Sequence, residues 1–450
     1  MFINREKECE FLRRKISSGK PELLVIYGRR RVGKTYLLQH CVENALFFTA
    51  DLSGSFHVMN RFFNEVKDIL NLPRSITISS WDEFFGFLNM VFDTRKDLNV
   101  VIFDEFQYIP MRDESFLTIL QRWWDEKFSK RNVKFILCGS YIGMTEKIAL
   151  SHNSPIYGRR TGQYKVLPLD FFDSVKFLNF KSKEDYVKAY SITDGIPLYL
   201  MEFSGYDDFY TALHEKILSP GEYLVEEGKF LTLEEFKKDP SNYYSILLAI
   251  AQGKTTPNEI ANVSGVDHKS IGVYLSKLVD LGLVTKEHPF SLYKKPKRKP
   301  YYSIADEYLR FYFKYIYPNK ELIYRELKRK LAERIKLTLD QHVSFTFEKI
   351  ARQFFVRKER VERIGRWWGE GQEIDIVAIK DKTLYIAECK WSKKKVDNRT
   401  LNKLKSKVPY LLKDLKVNDL TIVYYLFSKS GFEDIKESDD LKLVSLDELF

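Results

Sequence analysis

Residues 23–38, LLVIYGRRRVGKTYLL, decide the fold of the first domain. Five apolar residues, Leu23 to Tyr27, read as a buried strand, and residues 34–42 read as the helix that follows. Between them Gly28-x-x-x-x-Gly33-Lys34-Thr35 has the spacing and the strand–loop–helix context of a phosphate-binding loop. Backbone N–H groups of Gly28, Arg29, Arg30, Arg31, Val32 and Gly33, with the helix N-terminus at Lys34, Thr35 and Tyr36, are expected to face the phosphates of ATP. Lys34 is expected to reach the β- and γ-phosphates, and the Thr35 hydroxyl to ligate Mg²⁺.

Working outward, NVVIFDEFQY (99–108) supplies a second strand, 99–103, with Asp104 and Glu105 at its C-terminal end. In an open α/β sheet that end borders the ligand crevice. Asp104 there is expected to hold Mg²⁺, and Glu105 to act as the general base toward water. Further strands are predicted at 45–50, 133–139 and 163–169, with helices between them. The result is a five-stranded parallel sheet covered on both faces. Ser140 follows the fourth strand, as a contact to the γ-phosphate or its water, or as a helix cap. Arg159 or Arg160 of YGRR is a candidate for stabilising transition-state charge, in cis or across a homo-oligomer. The sequence does not choose between them.

With these residues in place, FINREKECEFL, YGRRRVGKT, FDEFQY, CGSY, YGRRTGQYKVLPL and DGIPLYL together resemble the archaeal P-loop ATPases, relatives of AAA+ and STAND signalling ATPases. The resemblance covers about residues 2–235. It implies that Asn4 and Arg5 lie near the adenine and that Gly195-Ile196-Pro197 closes over the nucleotide from a helical lid.

Residues 242–290 change rhythm. Helices are expected at 242–252, at 257–263 and from Asp267, followed by a strand at LVTKE, which is a helix-turn-helix with a wing. His268, Lys269 and Ser270 open the third helix, and Lys294, Lys295, Lys297, Arg298 and Lys299 form a flexible basic wing. DNA contact and interdomain packing are both open to such a module.

In the last segment EIDIVAI (373–379) and YIAECKW (385–391) read as strands. Alternation puts Glu388 and Lys390 on one face, and Asp375 on the neighbouring strand points to the same place. A preceding helix carries Glu348, a following helix spans about 398–412, and a strand at 420–427 completes an α-β-β-α-β outline. Three carboxylates around one spot call for a cation, and oxygen donors select Mg²⁺ or Mn²⁺. This order resembles the PD-(D/E)xK nuclease superfamily over residues 336–450, with Ile374 in place of the proline of its name. The resemblance implies metal ligation by Glu348, Asp375 and Glu388, and catalysis by Asp375, Glu388 and Lys390.

The expected domains are therefore an ATPase core at 1–170, a helical lid at 171–240, a winged helix at 241–305, a helical linker at 306–335 and a nuclease-like α/β domain at 336–450. The 450 residues are too many for one core, and the net charge of +11 is compatible with DNA as a partner. Four cysteines without CxxC spacing predict no disulfide, in keeping with a cytoplasmic location. The start MFINREKECEFLRR has no apolar signal core, and no apolar run is long enough to span a bilayer, so no membrane partner is expected. The function expected is ATP hydrolysis coupled to DNA binding and metal-dependent cleavage; the alternative is an ATP-dependent switch that binds DNA or protein without cutting.

Overall fold

The computed structural model describes residues 3–140, 142–233, 239–292, 298–325, 327–417 and 419–450. The chain divides into two compact units, Met1–Pro168 and Leu169–Phe450.

The first unit is built on five parallel strands, β1 (Glu22–Tyr27), β2 (Ala45–Thr49), β3 (Val100–Asp104), β4 (Lys134–Gly139) and β5 (Gly162–Lys165), in the order β2-β3-β4-β1-β5. Because both faces are covered, the strands read as continuous apolar runs. Leu23, Val25, Phe103 and Phe135 face a large aromatic core under the helices Ser55–Leu70, Trp81–Thr94 and Ser115–Glu126. Leu24, Ile26, Ile102 and Ile136 face a smaller core under the helices Glu6–Ile16 and Lys34–Cys41. β5 is shorter than its apolar pattern suggests. It ends at Lys165, just before Pro168, whose nitrogen has no proton to give a ladder. Cys9 and Cys41, on the two helices of the smaller core, are joined as a disulfide with Cα atoms 5.4 Å apart. This corrects the expectation of four unpaired cysteines; a sequence separation of 32 hides a pairing that only helix packing creates.

The second unit opens with the short helix Phe171–Ser174, followed by the helices Lys183–Thr193, Pro197–Phe203, Phe209–Lys216 and Tyr223–Leu233. Next come Pro240–Ala251, Pro257–Ser264 and Ile271–Asp280, then the antiparallel hairpin β6 (Val284–Glu287) and β7 (Tyr301–Ile304), which is a winged helix-turn-helix. A capping box between Thr256 and Glu259 starts its second helix. The 27-residue helix Lys328–Phe354 runs unbroken through the linker boundary at 335/336.

It leads into a mixed sheet of β8 (Arg363–Gly369), β9 (Gln372–Lys380), β10 (Thr383–Lys390), β11 (Thr421–Ser428) and β12 (Leu441–Ser445), ordered β12-β11-β10-β9-β8. β8 to β10 form an antiparallel meander, and the helix Asn398–Leu415 crosses to the parallel strands β11 and β12. This is the expected restriction-endonuclease-like α/β domain, enlarged by β8 and β12. Residues 363–369 alternate poorly because a bulge between Gly365 and Trp367 breaks the period of two.

The wing departs from expectation. Lys294, Lys295 and Lys297 lie outside the described residues, but the rest of the hairpin is docked on the edge strand β8. Phe290 donates its backbone N–H to the Arg366 carbonyl (2.7 Å) and joins the core of the C-terminal domain. Tyr301 stacks on Trp368 with centroids 4.2 Å apart and planes 5° from parallel. Arg298 donates to the Trp368 carbonyl (2.6 Å), lies over the Trp367 ring and pairs with Asp414 at 3.6 Å. Arg298 is thus corrected from a free wing charge to a contact that shields a sheet edge, while Lys299 is exposed.

Candidate functional site

The phosphate loop is held open by backbone geometry. Gly28 ends β1 so close to β5 that a Cβ there would meet the Val166 carbonyl oxygen at 2.2 Å. No other residue fits, which fixes the first loop position as glycine. Arg5 braces the loop from below, donating to the Val32 carbonyl (2.9 Å) and pairing with Glu8 at 2.9 Å. Arg30 donates to the Tyr108 hydroxyl (2.6 Å), while Arg31, Thr35 and Tyr36 are exposed at the loop surface.

Lys34 is buried and donates to the Arg29 carbonyl at 2.9 Å, bridging the loop where phosphates would sit. Burial pushes its ammonium below the usual range, with Asp104 and Glu105 pulling the other way. The Thr35 hydroxyl donates to Asp104 Oδ2 at 2.7 Å, so two oxygen donors meet at the end of β3. That pair fits a hard divalent cation.

Glu105 sits one residue on, in the left-handed region at φ 51°. An L-residue occupies that region at a cost of about 1 kcal/mol or more, so its placement is enforced by its surroundings. Ser140 donates to Glu105 Oε2 at 2.5 Å and Gln107 donates to the same oxygen at 2.6 Å. Oε1 accepts no hydrogen bond from the described residues, which leaves it turned toward incoming groups. Ser140 thereby meets Glu105. Gln107, fully buried, is the partner that sequence reading missed. Its signal was present in FDEFQY: a glutamine two residues past Glu105, in a turn that brings side chains back.

The two arginines differ. Arg159 makes a bidentate pair with Asp125 (3.2 and 2.9 Å). Arg160 lies over the Tyr157 ring, donating to Gln163 and the Leu150 carbonyl. In the second unit Pro197 is the first residue of its helix, and a Cβ on Gly195 (φ 65°) would strike the Leu169 carbonyl oxygen at 1.8 Å. Gly-Ile-Pro is therefore a tight turn fixed against the preceding strand-like segment.

The carboxylates of the C-terminal domain have a different environment. The β9–β10 register runs through Ala387↔Ile376, so Asp375 stands opposite Glu388 one step further. Asp375 accepts the Cys389 backbone N–H at 2.9 Å. Glu388 is buried between two ammonium groups, Lys390 at 2.5 Å and Lys407 at 2.9 Å. Burial alone would raise its pKa, but the two lysines outweigh it and hold the carboxyl below its usual range. Asp375 is pushed up by burial and by the Glu388 charge.

Glu348 comes from the helix Lys328–Phe354, whose Phe347 packs on Trp391. Its partner is Arg366, 2.8 Å away, which also pairs with Glu373 at 2.9 Å. Burial, followed by Asp375, pushes Glu348 up to about 8 in spite of that arginine. Among the described residues no group of three His, Cys, Asp or Glu side chains forms a metal-holding cluster. Each carboxylate has a protein donor of its own instead, and Lys407 and Arg366 were absent from the sequence reading. Lys407 had a trace: it interrupts the apolar stripe Leu401, Leu404, Val408, Leu411 at a buried position.

A family model described as an ATPase domain predominantly from Archaea matches residues 2–203, and one described as archaeal and bacterial proteins of unknown function matches residues 312–402. The chain belongs to this archaeal P-loop ATPase family, and it is an ATPase. An uncharacterized protein of Methanocaldococcus jannaschii is 32% identical over 460 residues, covering 100% of both chains. An uncharacterized ATP-binding protein of the same organism is 54% identical over 44 residues, 10% of this chain and 75% of that one. Among solved structures, the Walker-type ATPase of Pyrococcus abyssi aligns with a TM-score of 0.53 at 21% identity, covering 69% of this chain and 96% of that one. Among the described residues no helix is long and apolar enough to cross a membrane.

Proposed function

We propose that the chain is an ATP-driven switch: the phosphate loop binds and hydrolyses ATP with Mg²⁺, and the second unit binds DNA without cutting it. The observation that carries the first half is the Thr35–Asp104 hydrogen bond beside a Glu105 held by one oxygen only. Thr35 and Asp104 would hold the cation, which when bound neutralises phosphate charge. Lys34 sheds its Arg29 carbonyl contact to meet the β- and γ-phosphates. Ser140 and Gln107 fix Glu105 Oε2, leaving Oε1 to accept a proton from the attacking water.

The winged helix-turn-helix supports DNA as the partner of the second unit. The pairing of Glu388 with Lys390 and Lys407 supports binding over cleavage. Cation neutralisation, the task a metal would perform there, is already done by side chains. Turnover and duplex-DNA anisotropy measured with and without ATP test the whole reading. ATP-dependent DNA affinity with intact plasmid is expected, whereas Mn²⁺-dependent nicking abolished by Glu388→Ala would replace binding with cleavage.

A further inference from the structure

Positive charge is distributed unevenly. Residues 390–416 carry ten Lys and Arg against two Asp, a surplus of eight, in a chain whose entire surplus is eleven. By contrast, residues 265–280, the turn and recognition helix of the winged domain, carry two Lys against two Asp and are neutral. Of the described basic wing residues, Arg298 is spent on Trp367, Trp368 and Asp414, and Lys299 is exposed.

The basic stretch presents much of its charge to solvent. Lys390 and Lys407 turn toward Glu388, but Lys393, Lys394 and Lys395 are exposed on the loop after β10. They make no ion pair with the described residues. Arg399 and Lys403 continue the surface on the helix Asn398–Leu415, one turn apart and both exposed. The opposite side of that helix is consumed: Leu401, Leu404, Val408, Leu411 and Leu415 fill the domain core. A membrane-surface helix needs its apolar face free, and here that face is not available. The helix is about 27 Å long, and duplex DNA carries roughly 15 phosphates over that distance.

We propose that the loop and helix surface formed by Lys393, Lys394, Lys395, Arg399 and Lys403 binds the phosphate backbone of duplex DNA. On this account the C-terminal α/β domain, and not the winged helix, supplies most of the DNA affinity. The inference rests on the reading that the second unit is directed to DNA, and names the surface responsible. Phosphate contacts set affinity and its salt dependence, whereas a neutral recognition helix adds only groove contacts.

The test uses the full chain and a fluorescent 30-base-pair duplex of mixed sequence, with anisotropy recorded across a KCl series. One variant is K393S/K394S/K395S/R399S/K403S, all exposed positions; the comparison variant is K269S/K277S. The first is expected to lose at least tenfold in affinity and to flatten the log–log salt slope by about 0.9 per lost contact, up to about 4.5. The second is expected to change affinity less than threefold. A urea unfolding midpoint equal to that of the wild type, followed by tryptophan fluorescence, reports that both variants are folded. An unchanged slope in the five-residue variant, or an equal loss in the comparison variant, overturns the assignment while leaving DNA binding in place. A wild-type chain that ignores the duplex, or prefers an RNA duplex or phosphatidylserine vesicles, overturns the DNA reading itself and this surface with it.

Discussion

Two pairs of carboxylates, Asp104 with Glu105 at the end of β3 and Asp375 with Glu388 within β9 and β10, have partners that differ in kind. The first pair is served by neutral donors: the Thr35 and Ser140 hydroxyls and the Gln107 amide. In the second, Glu388 is served by ammonium groups from Lys390 and Lys407, while Asp375 accepts the Cys389 backbone N–H. Neutral donors orient a carboxylate and leave its charge to be met by something that arrives. Built-in cations satisfy it permanently. The difference separates a site prepared for a ligand from one in which charge is part of the fold.

The most severe way to sharpen the contrast is Lys34→Ala. Removing the buried ammonium should abolish measurable ATP turnover, a loss of 100-fold or more, and weaken nucleotide binding, as read by a phosphate-release assay and by calorimetry. Next comes Glu105→Gln, which keeps the oxygen that Ser140 and Gln107 grip but removes the base. ATP affinity should hold within threefold while turnover falls by about 10²- to 10⁴-fold. Equal loss of affinity in both variants would show that Glu105 serves binding rather than chemistry. In the second unit Lys407→Ala should leave ATP turnover unchanged but destabilise the C-terminal domain by on the order of 2 kcal/mol, because Glu388 keeps only Lys390. Urea unfolding followed by the fluorescence of Trp367 and Trp368 on β8 and of Trp391 just after β10 would measure it.

The smallest effect is one of pH. Glu348 holds its proton up to about 8 in the folded chain, against an ordinary value near 4.5. The folded state then binds more protons than the unfolded state between those values, so stability falls as pH rises through that window and levels above it. Glu348→Gln, which mimics the protonated form, should flatten the fall in melting temperature between pH 5 and 8. A slope identical to that of the wild type would mean that Arg366 keeps Glu348 ionised.

How much of this was legible depended on distance along the chain. The phosphate loop is contiguous, and Asp104 is placed by the strand end it follows, so both could be read directly. Alternation sufficed to put Asp375 across from Glu388. Lys390 was legible beside Glu388, but Lys407 on Glu388 and Arg366 on Glu348 were not, because they arrive from a crossover helix and an edge strand with no shared motif. The docking of Phe290 and Arg298 on β8 was hidden for the same reason. A proline-rich basic run looks like a free wing until the tertiary fold supplies a partner. Cys9 and Cys41 show it again, each unremarkable in its own helix.

The central claim, that the first carboxylate pair awaits a divalent cation and the second does not, is open to a direct count. Mn²⁺ bound per chain can be titrated by electron paramagnetic resonance in the presence of ADP. The account predicts one tightly held ion, lost in Asp104→Ala and unaffected by Glu388→Ala. Two ions per chain, one surviving Asp104→Ala and vanishing in Glu388→Ala, would contradict it.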